Sequence, residues 1–79
     1  MRLDKYLKVS RLIKRRSVAN EACDHGRILV NDQVAKASYQ VKVGDVLELH
    51  LGNRVVKIEV LSLQETQKKE EAKEMYRYL

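Results

Sequence analysis

The sequence predicts an α+β domain: two short N-terminal helices packed on a small twisted antiparallel sheet, followed by a C-terminal helix. Three observations carry that prediction. Leu3, Tyr6 and Leu7 recur at i, i+3, i+4, which is one apolar face of a short helix. Ser17 to Gly26 repeats helical spacing between a capping residue and a terminating glycine. After Gly26 the period changes to two, with turn signals at Asn31-Asp32, Gly44-Asp45 and Gly52-Asn53.

Taken in order, the first helix is expected from Leu3 to Val9, with Asp4 in the first turn where the helix dipole favours a carboxylate. Ser10 to Arg16 reads as a connection. Ser17 then caps a second helix whose apolar stripe is Val18, Ala19, Ala22 and Cys23, with His25 in the last turn and Gly26 as left-handed terminator. Two short helices so closely joined form a helix-turn-helix-like pair. Arg27 to Val30 is a strand, Asn31-Asp32 a two-residue turn, and Gln33-Val34 the start of the partner strand. Aspartate accepts positive φ less readily than glycine, so some strain is expected at Asp32. Ala35 to Val43 lacks a period and reads as an irregular loop. Val46 to Leu51 alternates, with Leu47, Leu49 and Leu51 on one side, and Arg54 to Leu61 alternates again, with Val56, Ile58 and Val60 on one side. From Glu65 to Leu79 the chain is highly charged, but Ala72, Met75, Tyr76 and Leu79 fall at i, i+3, i+4, i+7. That spacing predicts an amphipathic helix (65–79) appended to a domain of residues 1–64, with its apolar edge packed on its own domain.

With 79 residues, the chain has length for one small domain and little room for a buried catalytic cavity. There is no Trp, Phe or Pro and there are four tyrosines, so Val, Leu and Ile build the core. A single cysteine, Cys23, excludes an internal disulfide and suits a reducing compartment. No apolar run approaches a membrane span, and charged residues begin at Arg2, so no signal peptide, no membrane contact and a cytoplasmic location are expected.

Charge is distributed unevenly. Residues 1–42 carry ten basic against four acidic residues, whereas residues 43–79 carry six against seven. Concentration of positive charge in one half suggests a face for a polyanion. The stretch Arg2 to Arg16, RLDKYLKVSRLIKRR, alone holds Arg2, Lys5, Lys8, Arg11, Lys14, Arg15 and Arg16 against the single acid Asp4. Arginine forks beside the first amides of the second helix, Ser17 to Asn20, would bind backbone phosphates. Arg27, Lys36 and Lys42 would extend the patch across the sheet. Asp4 would either complement the helix dipole or orient Arg2, Arg15 or Arg16, or accept from a 2′-hydroxyl. Aromatics are scarce among these cations, so recognition of RNA backbone and shape is expected over base stacking. No catalytic set, metal-ligand spacing or glycine-rich phosphate loop is present: His25 and His50 are far apart in sequence, and Cys23 lies on an apolar stripe. The chain therefore reads as a non-enzymatic binding protein with no cofactor.

RLDKYL at Arg2–Leu7, RRSVANEACDHGRILVN at Arg15–Asn31, K-x-S at Lys36–Ser38 and V-x-V-G-D at Val41–Asp45 resemble, in order and spacing, the S-four-type RNA-binding domain, over about residues 1–51. RLIKRR at Arg11–Arg16 and KKEEAKEMY at Lys68–Tyr76 are further similar to the compact ribosome-associated quality control P family, and also to the ribosome-associated heat-shock family of the same fold. The resemblance implies an RNA-binding factor on obstructed large ribosomal subunits, contacting large-subunit rRNA and peptidyl-tRNA and supporting C-terminal alanine tailing with a partner that delivers alanyl-tRNA. It places Arg2, Asp4, Lys5 and Arg16 at RNA-facing positions. A monomer is expected. Two departures stand out: Asn20 where many relatives have arginine, and Asp32 in place of the usual hairpin glycine. Competing readings are a heat-shock-type factor recycling free large subunits, a helix-turn-helix DNA-binding regulator, and an RNA-modifying enzyme. The DNA reading is weakened by a second helix that offers Asn20, Glu21 and Asp24, not guanine-reading arginines.

Overall fold

A computed structural model describes residues 1–65 and 68–79, the Lys69 side chain aside. Helix α1 spans Leu3–Val9 and α2 spans Arg16–Asp24. The strands are β1 (Ile28–Val30), β2 (Gln33–Val34), β3 (Val46–Leu51) and β4 (Arg54–Val60). Then come α3 (Lys69–Ala72), one 3-10 turn (Lys73–Met75) and β5 (Tyr76–Tyr78). The strands form one antiparallel sheet in the order β2-β1-β3-β4-β5. The α+β architecture and α1 are as the periodicity predicts.

The core follows from the two periods. Leu3, Tyr6 and Leu7 on α1 are fully buried, as are Ile28 on β1, Leu47 and Leu49 on β3, and Ile58 and Val60 on β4. Successive strand residues point to opposite faces, so β1, β3 and β4 send alternate side chains into the core. Registers Ile28↔Leu49 and Leu47↔Ile58 align those residues across the sheet.

Several local expectations are corrected. Helix α2 begins at Arg16, with extended Arg15 as its N-cap and no side-chain cap, so Ser17 lies inside the helix. Val18 is 48 % exposed and does not belong to the buried stripe, which is Ala19, Ala22 and Cys23. The strand expected from Arg27 begins at Ile28. The predicted C-terminal helix stops early. Ala72 and Met75 are buried as its spacing requires, but Tyr76–Tyr78 is a strand, registered on β4 through Val60↔Tyr76 and Glu59↔Arg77. The unpaired edge of β4 and the Arg77–Glu59 ion pair at 2.6 Å outweigh the helical spacing there. Of the span predicted helical, residues 66 and 67 lie outside the described residues.

Ala35 to Val43 is irregular, as expected, but it clamps the N-terminus. Leu3 N–H donates to Tyr39 O at 2.8 Å, Asp4 N–H to Ala37 O at 3.2 Å, and Val41 N–H to Met1 O at 2.9 Å. Arg2 forms an isolated antiparallel bridge with Gln40. These bonds satisfy amides of the first α1 turn and fix Arg2 against the hairpin side of the molecule. Asp45, itself buried, closes the loop by accepting from Tyr39 Oη at 2.9 Å, Asn31 Nδ2 at 3.2 Å and the Lys42 amide at 2.9 Å.

At the β1–β2 turn both central residues are left-handed, Asn31 at φ 51° and Asp32 at φ 69°. Non-glycine residues are disfavoured there by about 1–2 kcal/mol, less for aspartate, and glycine's extra chain entropy offsets part of any relief. Asp32→Gly should therefore stabilise the domain by about 0.5 kcal/mol, measured as a higher urea midpoint at unchanged m; a lower midpoint would mean that the Asp32 side chain itself stabilises the turn.

Candidate nucleic-acid interface

The site is built where the N-termini of α1 and α2 meet. Asp4, in the first turn of α1, is 2 % exposed and is the common acceptor. Arg2 donates to it through Nε at 3.2 Å and Nη2 at 3.3 Å, a two-point fork. Arg16 Nη2 reaches Oδ1 at 3.4 Å, Asn20 Nδ2 reaches Oδ2 at 3.2 Å, and the Lys5 amide donates to Oδ1 at 2.8 Å. The arginine side chains remain 46 % and 49 % exposed, so each is anchored at one edge and open to solvent over the rest. Of five N–H donors per guanidinium, Asp4 takes two from Arg2 and one from Arg16. Two cations held by one buried anion leave a net positive, pre-oriented surface, suited to phosphate oxygens.

Burial alone would raise the Asp4 pKa, but hydrogen bonds from Asn20, Arg16, Arg2 and the Lys5 amide outweigh it and hold the carboxyl below the usual carboxylate range. The folded pKa therefore lies below the unfolded value of about 3.9. Asp4 thus contributes stability that is present above the unfolded pKa and lost as pH falls through the folded value. Urea unfolding followed from about pH 5 to about pH 2.5 should show wild type losing more stability than Asp4→Asn. Parallel curves would exclude a stabilising role for the Asp4 charge.

The other sequence-predicted residues divide. Lys36 lies beside the cluster, lining with Arg2, Asn20, Asp24 and Ser38 a groove between α2 and the loop after β2. Lys8, Lys14 and Arg15 are exposed on or beside the helix pair. The turn that displays Lys14 and Arg15 is anchored by buried Ile13, whose N–H donates to Leu7 O at 3.0 Å. Arg11, exposed in that turn, adopts a left-handed φ of 63°. Lys5 is ion-paired to Glu65, which follows β4. Arg27 lies across α2, lining a different groove with Val18 and His25, so it does not continue the Asp4 cluster. Lys42 is exposed in the turn held by Asp45. Because α2 starts at Arg16 and the Ala19 amide already donates to Arg15 O at 3.1 Å, the amides open to an anion are at most those of Arg16, Ser17 and Val18.

Of the roles open to Asp4, the geometry displays two: the carboxylate lies in the first turn of α1 and accepts from the Lys5 amide, and it orients Arg2 and Arg16. Asn20, which the sequence marks only as a departure from the motif, supports the same carboxylate; its position four residues after Arg16, one turn along the same helix face, is the further cue. Cys23 behaves as a small hydrophobe: burial, with the charges of Asp4 and Asp24, pushes its thiol to about 11. Among the described residues no His/Cys/Asp/Glu group could hold a metal ion, and no helix is long and apolar enough to cross a membrane.

The S4 domain matches residues 1–47 of the chain. A relative from Bacillus subtilis named RQC P-site tRNA stabilizing factor is 56 % identical over 79 residues, covering 100 % of this chain and 92 % of its own. One of the same name from Halalkalibacterium halodurans is 55 % identical over 76 residues, covering 96 % of this chain and 86 % of its own. The trimeric structure of Vibrio cholerae heat shock protein 15 superposes with a TM-score of 0.93 at 31 % identity, covering 100 % of this chain and 81 % of that one.

Proposed function

This chain belongs to the S4 domain family, and on that premise we propose that it is an RNA-binding factor of ribosome-associated quality control. In this reading it binds rRNA and peptidyl-tRNA on obstructed large ribosomal subunits in the cytoplasm and supports C-terminal alanine tailing of the stalled chain. Relatives that share 55–56 % of its residues across 96–100 % of its length and are named for P-site tRNA stabilisation support it. The observation that carries it is the Asp4 carboxylate gripping Arg2 and Arg16 at the meeting point of the helices. Such a surface acts by placement. It holds phosphate backbones in a fixed relation while the ribosome performs the chemistry, so the protein itself is not an enzyme. Arg2, Arg16 and Lys36 form the primary contact, with Lys8, Arg11, Lys14 and Arg15 adding charge around the inter-helix turn; Lys5 joins once RNA displaces Glu65. The factor works as a monomer beside the partner that delivers alanyl-tRNA.

A second reading, a heat-shock-type factor that recycles free large subunits carrying nascent chains, draws on the fold likeness at TM-score 0.93, though at the lower identity of 31 %. A DNA-binding role is disfavoured: Asn20 is tied to Asp4, and Glu21 and Asp24 are exposed carboxylates on the helix that would enter a groove.

Competition at matched salt separates the RNA readings from the DNA one and tests the dependence on tRNA. Purified large subunits carrying peptidyl-tRNA should displace the protein from a labelled rRNA far better than vacant subunits, and duplex DNA should compete least. Equal competition by vacant and tRNA-bearing subunits would contradict tRNA stabilisation, and dominance of duplex DNA would overturn the RNA reading.

A further inference from the structure

Helix α2 is a ridge between two grooves. One holds Arg2, Asn20 and Lys36. Toward the other, α2 turns Val18 and His25, which meet the turn after α1 and the end of β3. His25 and His50, distant in sequence, line this second groove together with Arg27, over aliphatic walls that include Leu12, Val18 and Leu51. Its volume is about 420 Å³, within the ordinary range for small-ligand clefts. His25 and Arg27 are exposed, and the His50 side chain is 43 % exposed.

We propose that this second groove receives one unstacked nucleotide of the bound RNA, its base against the imidazoles and aliphatic wall and its phosphate on Arg27. The proposal rests on the RNA-binding reading above and adds a site on the opposite flank of α2. Unpaired bases are held by flat side chains, histidine among them, and by arginine, whereas duplex RNA is read through its backbone. The tyrosines do not serve here. Tyr6 is fully buried, Tyr39 is bonded to Asp45, and Tyr76 and Tyr78 pack edge to face at 5.4 Å on β5. The two imidazoles are therefore the flat groups beside the basic helix pair. Charge also fits. Glu48, two residues before His50 on β3, is engaged by His50 Nε2 at 2.9 Å, which leaves Glu21 as the acid lining the groove with Arg27. A purely aliphatic groove would suit a protein side chain; two imidazoles and a guanidinium converging on it suit a nucleotide.

The test uses the full chain and two RNA hairpins, one fully paired and one with the same stem carrying a single bulged 2-aminopurine. Wild type should bind the bulged hairpin about tenfold more tightly and quench the 2-aminopurine by stacking. The double variant His25→Ala/His50→Ala should bind both hairpins equally, within about twofold of the wild-type affinity for the paired stem, without quenching. His25→Ala alone, at an exposed position, should lose part of the preference, which guards against misfolding of the double variant. Arg16→Ala should weaken both hairpins alike and keep the preference. Unchanged preference and quenching in the double variant would overturn the site, as would a wild type indifferent to the bulge, which would leave the groove to a protein side chain. A wild type that binds neither hairpin would overturn the RNA reading itself.

Discussion

Asp4→Ala is expected to reduce stability and RNA affinity together. The substitution removes the acceptor for two arginines, Asn20 and the Lys5 amide at one buried point. Breaking a fully buried ion pair costs about 3–5 kcal/mol. Here both guanidiniums are half exposed and can rehydrate, so a loss of about 2 kcal/mol is expected, against a total of about 5–15 kcal/mol for small domains. Without the carboxylate, Arg2 and Arg16 must be ordered by RNA itself, at about 0.5–1.5 kcal/mol each, or about tenfold in affinity together. Both cations remain, so the slope of log affinity against log salt should not fall. Urea unfolding and a salt titration on rRNA measure these effects. Tighter RNA binding by the variant would mean that Asp4 merely screens the arginines, and the orienting role would be lost.

Arg16→Ala should separate from Asp4→Ala in that slope. One charge-assisted phosphate contact is worth about 1.5–3 kcal/mol, and its loss reduces the salt slope by roughly 0.7–0.9. Stability should change less than in Asp4→Ala, because Arg2, Asn20 and the Lys5 amide still satisfy the buried carboxylate. An unchanged slope would place the phosphate contact elsewhere, first at Arg2 or Lys36, the other cations that share the Asp4 cluster or its groove.

The elements legible in the sequence are those whose partners are periodic and local. Leu3, Tyr6 and Leu7 announce α1, and the alternations of Leu47-Leu49 and Ile58-Val60 announce β3 and β4, because burial of one face imposes the period. What escaped depends on distant chain. The loop from Ala35 to Val43 shows no period because, beyond Ala35, which still donates to Ile28 of β1, Ala37, Tyr39 and Val41 bond residues 4, 3 and 1 rather than a neighbouring strand. β5 hides within a charged stretch whose helical spacing holds through Met75, and the signal for a strand is only the alternation of Tyr76, Arg77 and Tyr78. At the site, the family motif singles out Arg2, Asp4 and Arg16, and the structure joins them. The same motif gives no hint that Glu65 occupies Lys5, nor that α2 divides Arg27 from the cluster, since both are matters of tertiary placement. The shift of the α2 N-cap from Ser17 to Arg15 moves the anion-facing amides by two positions, because cap chemistry yields to the turn that Ile13 anchors.

Sedimentation of the tagged protein from cells through sucrose gradients, with the RNA of each fraction identified, tests the ribosomal role most directly. Wild type should travel with free large subunits and tRNA, and Arg2→Ala and Arg16→Ala should shift it to the top of the gradient. Wild type at the top, or variants that still travel with large subunits and tRNA, would contradict an interface organised by Asp4 on the large subunit.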